Sequence, residues 1–394
     1  MIVGVPRETF PDEQRVALVP DVLPTLAKAG LEVVLQTGAG AAAGFADAAY
    51  TAKGGRIAAS RQEVFAAAAL IAQVRAAAAN PQAGTDDGSL LRPDHVLIAL
   101  CDPLSEPAAV QALAGTGVQA FALDLIPRIT RAQSMDVLSS MATIAGYKSV
   151  ILAASHLPRM FPMLMTAAGT VAPAHVFVIG AGVAGLQAIA SAKRLGAVVH
   201  AYDVRPAVKE QCESLGAKFV QMDLETKDSE TAGGYARTMD EGFYRRQREL
   251  MKQVVAANHV VITTAAVPGA KAPVLITADM VDGMMPGSVI VDLAAERGGN
   301  CELTRPGETV TRNGVTILGP LNLASTVPTH ASQMFARNMS AFLRLLVKDK
   351  ALNIDLNDEI IRDTLLTQNG QVVHPRVRER LETPAPDGEE GGVD

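Results

Sequence analysis

The chain has 394 residues, of which 48% are hydrophobic, and this length predicts two or three domains with sizeable cores. Its net charge of −6, its lack of Trp and its aromatic content of 4% exclude a basic, base-stacking surface, so we expect no nucleic-acid partner. Cys101, Cys212 and Cys301 are isolated, which predicts a reducing compartment and neither disulfides nor a metal site. With no signal peptide and no uninterrupted apolar span, the chain is expected to be soluble, without direct membrane insertion.

Short β-branched segments alternate with longer alanine-rich helical segments. The first series of predicted strands covers residues 2–5, 31–35, 70–74, 96–100 and 118–123. The second series covers residues 176–179, 198–203, 218–221, 260–264, 288–293 and 315–318. Alternation of this kind indicates parallel strands covered by helices. The predicted fold class is therefore α/β, with two Rossmann-like domains that have parallel sheets and are joined by long helices.

Two helical segments without strand character are predicted to connect the domains, at residues 133–165 and 332–347. We therefore expect an N-terminal Rossmann-like domain at residues 1–136, completed by residues 329–380, and a second Rossmann domain at residues 137–328. The acidic, Pro- and Gly-rich residues 381–394 predict a disordered tail. Residues 222–242 have few apolar side chains and predict a long loop, a kind that is usually functional.

The stretch "HVFVIGAGVAGLQAIASAKRLGA" has the order strand, glycine turn, helix. Gly180 would permit the tight turn, Gly182 would let the backbone approach a pyrophosphate, and Gly185 would allow close packing of the helix on the strand. The first helical amides would face the phosphates. The sequence therefore predicts dinucleotide binding in the second domain.

An acidic residue, Asp203, ends the next predicted strand in "VVHAYDVR". A carboxylate there accepts hydrogen bonds from a ribose 2′-hydroxyl and repels a 2′-phosphate, which favours NAD(H) over NADP(H). Arg205 leaves the alternative open, because it could meet a 2′-phosphate or be a solvated surface charge.

A polar cluster occupies "RITRAQSMDVLSS", residues 128–140. Its arginines, Gln133, Asp136 and serines could hold a carboxamide, a phosphate or a charged ring, but it contains no His, Lys, Tyr or Cys to exchange a proton near pH 7. The alternative is a cluster of interdomain salt bridges and helix caps.

Several stretches resemble the NAD(H)-binding alpha subunit, in its separate-chain form, of proton-translocating NAD(P) transhydrogenase. They include "RITRAQSMDVLSSMATIAGYKSV", the glycine stretch, "ETAGGYARTMDEGFYRRQ" and "SVIVDLAAERGGNCELT". The related alanine dehydrogenases share "GVPRET" and "EQRVALVP". The resemblance implies that NADH passes hydride directly to NADP⁺, a reaction that needs no proton donor and depends on the orientation of two rings.

The resemblance also assigns residues. It places Arg128, Gln133, Asp136 and Ser139 in catalytic roles at the nicotinamide end of the site. It implies cofactor contacts for Arg128, Ile129, Gln133, Ser134, Met135, Asp136, Gly180, Gly182, Val183, Ala184, Gly185, Asp203, Val204, Arg205, Gly234, Tyr235, Gln247 and Ala266. Gly234 and Tyr235 would belong to a loop that closes over nucleotide, and Ala266 stands where the family often has Leu.

An amino-acid dehydrogenase of the alanine type is the alternative activity, and a non-catalytic nucleotide sensor is a third. At the positions of the dehydrogenase's catalytic lysine and histidine this chain has Gln73 and Cys101. Arg15 remains and could bind a carboxylate, whereas His95 precedes its strand and is expected at the surface. The dehydrogenase hypothesis thus lacks its acid–base residues.

The resemblance further implies a homodimer bound to separate NADP(H)-binding and membrane-spanning transhydrogenase subunits. We expect the chain in the cytoplasm, peripheral to the cytoplasmic face of the inner membrane through those partners. Proton translocation would be coupled through the partners, because no residue of this chain can be assigned to it.

Overall fold

The computed structural model describes residues 1–81, 84–221, 241–266 and 269–382. The chain folds into two compact units. Unit 1 comprises Met1–Ser140 and Pro328–Asp394, and unit 2 comprises Met141–Val327. The N-terminal unit therefore includes a second, C-terminal segment of chain.

The strands follow the β-branched segments closely. In chain order they are β1 (Ile2–Val5), β2 (Glu32–Gln36), β3 (Arg56–Ala58), β4 (Leu70–Arg75), β5 (Val96–Leu100), β6 (Gln119–Ala122), β7 (Leu164–Thr166), β8 (Gly169–Val171), β9 (His175–Ile179), β10 (Val198–Tyr202), β11 (Lys218–Phe219), β12 (Val260–Thr263), β13 (Val289–Asp292), β14 (Thr309–Arg312), β15 (Val315–Leu318), β16 (Val347–Lys348), β17 (Ala351–Leu352), β18 (Leu365–Gln368) and β19 (Gln371–Val372).

The helices lie mainly between the strands. They are α1 (Leu23–Lys28), α2 (Asp47–Thr51), α3 (Arg61–Ala67), α4 (Gly84–Gly88), α5 (Pro107–Gly115), α6 (Val137–His156), α7 (Val183–Arg194), α8 (Lys209–Ser214), α9 (Glu241–Ala256), α10 (Ala278–Asp282), α11 (Pro328–Leu345), α12 (Glu359–Thr364) and α13 (Pro375–Glu382). A 3-10 helix at Thr130–Met135, which we call the pocket turn, precedes α6.

The main sheet of unit 1 has the strand order β19-β18-β6-β5-β4-β1-β2-β3. Strands β1 to β6 are parallel, and β1 lies between β2 and β4, which is the Rossmann winding. The side chains of β4 are buried along almost its whole length, as expected for a parallel strand covered on both faces. β18 joins β6 in antiparallel orientation, so the C-terminal segment extends this sheet.

The main sheet of unit 2 has the order β11-β10-β9-β12-β13-β15-β14. Its parallel strands also follow the Rossmann winding, with the crossing point between β9 and β12. Buried Val, Ile, Ala and Phe side chains pack on both faces, and each large one removed from water contributes about 1.5–3 kcal/mol. The predicted α/β class with two Rossmann-like sheets is confirmed.

The sheets are less uniformly parallel than the sequence suggested. Antiparallel strands extend both of them, β14 in unit 2 and β18 with β19 in unit 1. The helix predicted at residues 133–165 is too long at its C-terminal end, because β7 begins at Leu164 and pairs with β8 in a small hairpin. Such short edge strands lack the repeated alternation that reveals longer ones.

One helix in the described ranges, α6, is long and apolar enough to cross a membrane, and 39% of its most apolar window is buried inside the protein. Core helices of globular proteins meet the same criteria of length and composition. This is therefore weak evidence for a membrane span.

Candidate functional site

A polar pocket of about 410 Å³ lies in unit 1, where the chain passes from β6 to α6. It is lined by Pro127, Arg128, Ile129, Thr130, Gln133, Asp136 and Ser139. Five of the residues that the resemblance assigned therefore line one cavity: Arg128, Ile129, Gln133, Asp136 and Ser139. Ser134 and Met135 belong to the pocket turn but are not among the lining residues, and Met135 is buried.

Asp136 and Ser139 are joined at the start of α6. The Ser139 amide donates to Asp136 Oδ1 at 2.9 Å, and the Ser139 hydroxyl donates to Oδ2 at 2.6 Å. A carboxylate that accepts from the amide three residues ahead is a helix N-cap. The capping alternative considered for this cluster thus describes one part of it, and the same cap fixes the Asp136 carboxylate at the pocket wall.

Arg128 and Gln133 have exposed side chains, whereas Ile129, Asp136 and Ser139 are half-buried. The pocket wall thus contains a guanidinium, an amide, a hydroxyl and a carboxylate, all of which can form hydrogen bonds with a ligand. His, Lys, Tyr and Cys do not occur among the lining residues. Such a wall can orient a polar ring by hydrogen bonding.

In unit 2, the glycine turn connects β9 to α7 as the sequence predicted. Gly180 has φ +95°, a conformation that side chains rarely adopt. A Cβ on Gly185 would lie 1.8 Å from the Gly180 carbonyl oxygen, so only glycine permits this approach of helix to strand. A Cβ on Gly182 would meet nothing within 4 Å. The turn is therefore closed on its inner side and open at Gly182, which fits a pyrophosphate.

The N-terminus of α7 is available to an anion. Gly182 is its N-cap residue, no side chain caps the helix, and its first turn contains no acidic residue. A Cβ on Gly146 of α6 would lie 2.1 Å from the Ala184 carbonyl oxygen, so α6 approaches the first turn of α7 closely. Val183 and Ala184, both half-buried, supply amides to this end.

Asp203 and Arg205 form a buried pair beyond β10. Asp203 Oδ1 accepts from the Arg205 backbone amide and Nε, both at 2.9 Å, and Oδ2 accepts from Nη2 at 2.8 Å. The Ala181 amide also donates to Oδ2, at 2.7 Å, which ties the pair to the glycine turn. Arg205 is 9% exposed and is therefore not the solvated surface charge that one alternative described. Each Asp203 oxygen has two donors, so a ribose hydroxyl must compete with Arg205.

The remaining predicted cofactor contacts are Gln247, Val204, Ala266, Gly234 and Tyr235. Gln247 of α9 is 1% exposed and donates from Nε2 to the Tyr202 hydroxyl at 2.9 Å. Burial raises the pKa of Tyr202 to about 12, so it stays protonated. Val204 is half-buried and Ala266 is exposed after β12. Gly234 and Tyr235, with most of the predicted loop and tail, lie outside the described residues.

The positions that distinguish the alanine-type alternative are buried in unit 1. Gln73 is 2% exposed and donates to Asp87 Oδ2 at 3.0 Å. Cys101 is fully buried, and burial raises the pKa of its thiol well above the usual range. Neither group can exchange protons in neutral solution. Arg15 is also buried, with Nε 2.7 Å from Glu13 Oε1.

The expectation that His95 lies at the surface was wrong. Its ring is fully buried, accepts from the Arg92 amide through Nδ1 at 3.1 Å, and lies with Nε2 3.1 Å from the Phe65 carbonyl oxygen. The ring closes the turn before β5 and packs edge-on against Phe65. Because both ring nitrogens have backbone partners, His95 is a structural residue.

Sequence reasoning missed residues that the fold brings to these two sites. Pro127 and Thr130 line the pocket, and their proximity to Arg128 in the chain was the available signal. In unit 2, Thr264 donates to the Gly180 carbonyl oxygen at 3.0 Å. Asn300 donates to the Ala265 carbonyl oxygen and accepts from the Ala265 amide. These two residues hold the segment after β12 beside the glycine turn, and nothing local in the sequence marked them.

No group of three or more His, Cys, Asp or Glu side chains in the described ranges is placed to hold a metal ion. The three cysteines are unpaired and buried.

Comparisons with known proteins agree with this architecture. Residues 4–145 match the family described as alanine dehydrogenase/PNT, N-terminal domain, and residues 149–375 match its C-terminal domain. An NAD(P) transhydrogenase alpha subunit chain of Rhodospirillum rubrum is 48% identical over 95% of this chain and 98% of its own length. A transhydrogenase structure from Sinorhizobium meliloti is 44% identical, with a TM-score of 0.84, 95% of this chain covered and 100% of that chain. An L-alanine dehydrogenase structure is 26% identical, with a TM-score of 0.81, and the match covers 96% and 98% of the two chains.

The fold, the glycine turn and these matches define the class: the chain belongs to the alanine dehydrogenase/PNT family. Within that family its sequence is nearer to the NAD(P) transhydrogenase alpha subunit chain, at 48% identity, and to the transhydrogenase structure, at 44%, than to the alanine dehydrogenase structure, at 26%. The resemblance read from the sequence is confirmed.

Proposed function

We propose that this chain is the NAD(H)-binding subunit of a proton-translocating NAD(P) transhydrogenase. It would deliver hydride from NADH to NADP⁺ held on a partner subunit. The observation that carries the proposal is the composition of the pocket, whose lining residues include hydrogen-bonding groups but no His, Lys, Tyr or Cys. The sequence identity with transhydrogenase alpha subunits supports it.

The proposed reaction is balanced without a proton. The C4–H bond of NADH breaks, its electron pair and hydrogen form the C4–H bond of NADPH, and NAD⁺ remains. A dehydrogenase that reduces a carbonyl must also supply a proton, and an enzyme of that kind needs a titrating side chain at the site. The residues proposed here have a different task, which is to hold one ring in a reactive orientation.

Two groups of residues have separate parts in the proposal. The open glycine turn and the uncapped N-terminus of α7 would bind the pyrophosphate, with Val183, Ala184 and Gly185 as the nearest residues. Arg128, Gln133, Asp136 and Ser139 would orient the nicotinamide. Asp136 is well suited to orient a ligand, because its cap on α6 fixes the carboxylate.

Asp203 is proposed to select NAD(H), because its charge opposes a 2′-phosphate at the end of β10. In this structure Arg205 neutralises that charge and occupies both carboxylate oxygens. Selection of NAD(H) over NADP(H) therefore depends on the strength of the Asp203–Arg205 ion pair. The Ala181 amide donates a further hydrogen bond to Asp203.

The partners are part of the proposal. The relatives from Rhodospirillum rubrum and Cereibacter sphaeroides are named as alpha subunits, which supports an assembly of several polypeptides. We propose a homodimer that binds separate NADP(H)-binding and membrane-spanning subunits at the cytoplasmic face of the inner membrane. Proton translocation would take place in those partners.

The test combines NADH binding with single-turnover hydride transfer. Purified chain is titrated with NADH by nucleotide fluorescence, then mixed with the NADP(H)-binding subunit and an NADP⁺ analogue. Gln133→Leu and Asp136→Asn should slow transfer by about a hundredfold, the loss expected of misplaced reactants, while NADH affinity changes by less than about threefold. Asn still caps α6, so Asp136→Asn should fold normally.

Glu32→Gln, on an exposed side chain of β2, is the matched control and should change neither quantity. Parallel losses of transfer and binding would show that the pocket only binds nucleotide. Binding of NADH without transfer to any partner would favour a nucleotide sensor. Ammonia-dependent reduction of pyruvate by the chain alone would establish the alanine-type activity, which the burial of Gln73 and Cys101 argues against.

A further inference from the structure

The pocket turn is tied to the C-terminal segment of unit 1 on both sides of Gln133. On one side, Arg131 forms a two-pronged ion pair with Asp358, with Nη1–Oδ2 and Nη2–Oδ1 distances of 2.7 Å. On the other side, Asn338 Nδ2 donates to the Ser134 carbonyl oxygen at 2.8 Å. Neither Asn338 nor Asp358 lines the pocket. Two residues distant in the chain thus fix the backbone that carries Gln133.

Asn338 is not accounted for by packing alone. It lies on α11 and is 6% exposed, among the buried side chains of Phe335, Met339 and Phe342. Its Oδ1 is buried and has no hydrogen-bond partner in the described part of the chain. A buried polar atom without a partner costs free energy, and an apolar side chain of this size avoids that cost. What Asn338 adds that an apolar residue would not is the bond to the pocket turn.

Asp358 connects the same turn to the sheet. Its Oδ1 also accepts from the Ile360 amide at 2.9 Å, which caps α12. α12 runs directly into β18, where Thr367 donates to the Val118 carbonyl oxygen at 2.7 Å and accepts from the Ala120 amide. The C-terminal segment therefore contacts both the strand that precedes the pocket and the turn that lines it.

The Arg131–Asp358 ion pair is too exposed to stabilise the fold strongly, but it can position the pocket turn. The Arg131 side chain is about half exposed, and the Asp358 side chain is 20% exposed. Ion pairs at that exposure contribute little to folding stability. A two-pronged arginine–carboxylate pair nevertheless fixes geometry, because both groups are planar.

We propose that Asn338 and Asp358 are positioning residues that hold the pocket turn so that the Gln133 amide faces the nicotinamide in the reactive orientation. This rests on the proposed hydride transfer. Both residues act through the backbone of the turn, and neither touches the nucleotide.

The test uses the full chain with its NADP(H)-binding partner. Asn338→Leu keeps the branched shape of the side chain and removes the donor together with the unpartnered acceptor. Asp358→Asn keeps the cap on α12 and removes the charge that pairs with Arg131. We expect transfer to fall about tenfold in Asn338→Leu and about threefold in Asp358→Asn, as small misplacements of reacting groups do, while NADH affinity changes less than about twofold. The melting temperature should stay within about 2 °C of the wild type.

Ser332→Ala is the matched control on the same helix. Ser332 is fully buried and accepts from the Val16 amide at 3.0 Å, away from the pocket turn. It should lower the melting temperature and leave the transfer rate per bound NADH unchanged. A purely structural role for Asn338 and Asp358 would give the same pattern as this control. Wild-type transfer in both variants would overturn the proposal.

Failure of the proposed function gives a different result. In that case the wild-type chain binds NADH but transfers no hydride. The effect of Asn338 and Asp358 on the nicotinamide site is then measured by the fluorescence emission of bound NADH, which depends on the surroundings of the nicotinamide. An emission shift in Asn338→Leu and Asp358→Asn, but not in Ser332→Ala, would support the positioning role of the two residues. Unchanged emission in both variants would reject it.

Discussion

The parallel strands of units 1 and 2 have the same order, yet the residues at the carboxyl ends of these strands differ between the two units. In unit 2, β9 ends in a glycine turn that is open at Gly182. In unit 1, the corresponding edge is filled by polar and charged side chains of the chain itself. Glu8 accepts from the Val74 amide at 2.6 Å, and Glu13 binds both Arg15 and Arg75. The winding supplies a crevice in each unit, and the side chains decide whether a ligand can enter it.

The cluster in unit 1 is closed by its own interactions. The Glu13 side chain is fully buried and the Arg15 side chain is 3% exposed. The Arg75 guanidinium lies over the Phe10 ring, 4.4 Å from its centroid. Unit 1 therefore uses charged side chains to complete its core beyond the ends of β1 and β4, and its polar pocket is formed by the segment after β6. Three changes test this contrast.

The largest effect is expected from Glu13→Gln, which leaves Arg15 buried without its carboxylate. Loss of one partner of a buried pair costs about 3–5 kcal/mol, so the free energy of unfolding in urea at pH 7 should fall by that amount. Glu32→Gln should change it by less than about 0.5 kcal/mol. A loss below about 1 kcal/mol for Glu13→Gln would show that the cluster is not closed and could admit a ligand.

The same variant should alter acid sensitivity. Burial alone raises the pKa of Glu13, but hydrogen bonds and charge from Arg15, with the charge of Arg75, lower it to about 2 from an ordinary value of 4.5. Because the folded pKa lies below the unfolded one, the stabilisation is present above about pH 4.5 and is lost as the pH falls towards 2. The stability of Glu13→Gln should therefore decline less steeply over that range.

An intermediate effect is expected from Gly182→Val, which places a side chain where the glycine turn is open. If a pyrophosphate binds there, NADH affinity should fall about tenfold or more, about 1.4 kcal/mol. The melting temperature should fall only slightly, because Val is a poorer N-cap residue than Gly. Gly115→Val, at the end of α5, is the control, because a Cβ there also meets nothing within 4 Å. Equal NADH affinity in both variants would place the nucleotide elsewhere.

The smallest effect is expected from Asp203→Asn, which removes the charge and keeps an acceptor for the Ala181 amide. With its partner neutral, Arg205 can meet a 2′-phosphate, so the ratio of NADPH to NADH affinity should rise about three- to tenfold. Asp21→Asn, on an exposed side chain, should leave the ratio unchanged. A constant ratio in Asp203→Asn would mean that the pair does not select the nucleotide. Isothermal titration with each nucleotide gives both affinities.

Much of the architecture was predictable from local sequence. Parallel strands that are covered on both faces need continuous apolar runs, such as "VLIAL" in β5, and these runs are visible in the sequence. Antiparallel β18 was not predicted, because its partner β6 lies far away in the chain and contributes no local periodicity. His95 was misplaced for a similar reason, since Phe65 covers it from a distant helix.

The two candidate sites differ in the same way. The glycine turn is a backbone structure, and glycine is the residue that allows φ +95° at Gly180 and the close contact at Gly185, so the site can be recognised in the sequence. The pocket of unit 1 is a side-chain structure on a 3-10 turn. Its residues were assigned through resemblance to a family, and their catalytic roles stay predictions.

By itself, the sequence determined the α/β class, the glycine turn and the family, because periodicity and glycine spacing act over a few neighbouring residues. The tertiary structure alone showed that Asn338 and Asp358 bind the pocket turn and that the Arg205 guanidinium pairs with the Asp203 carboxylate. These contacts depend on distance in space and on burial, which raises the cost of every unpaired polar group.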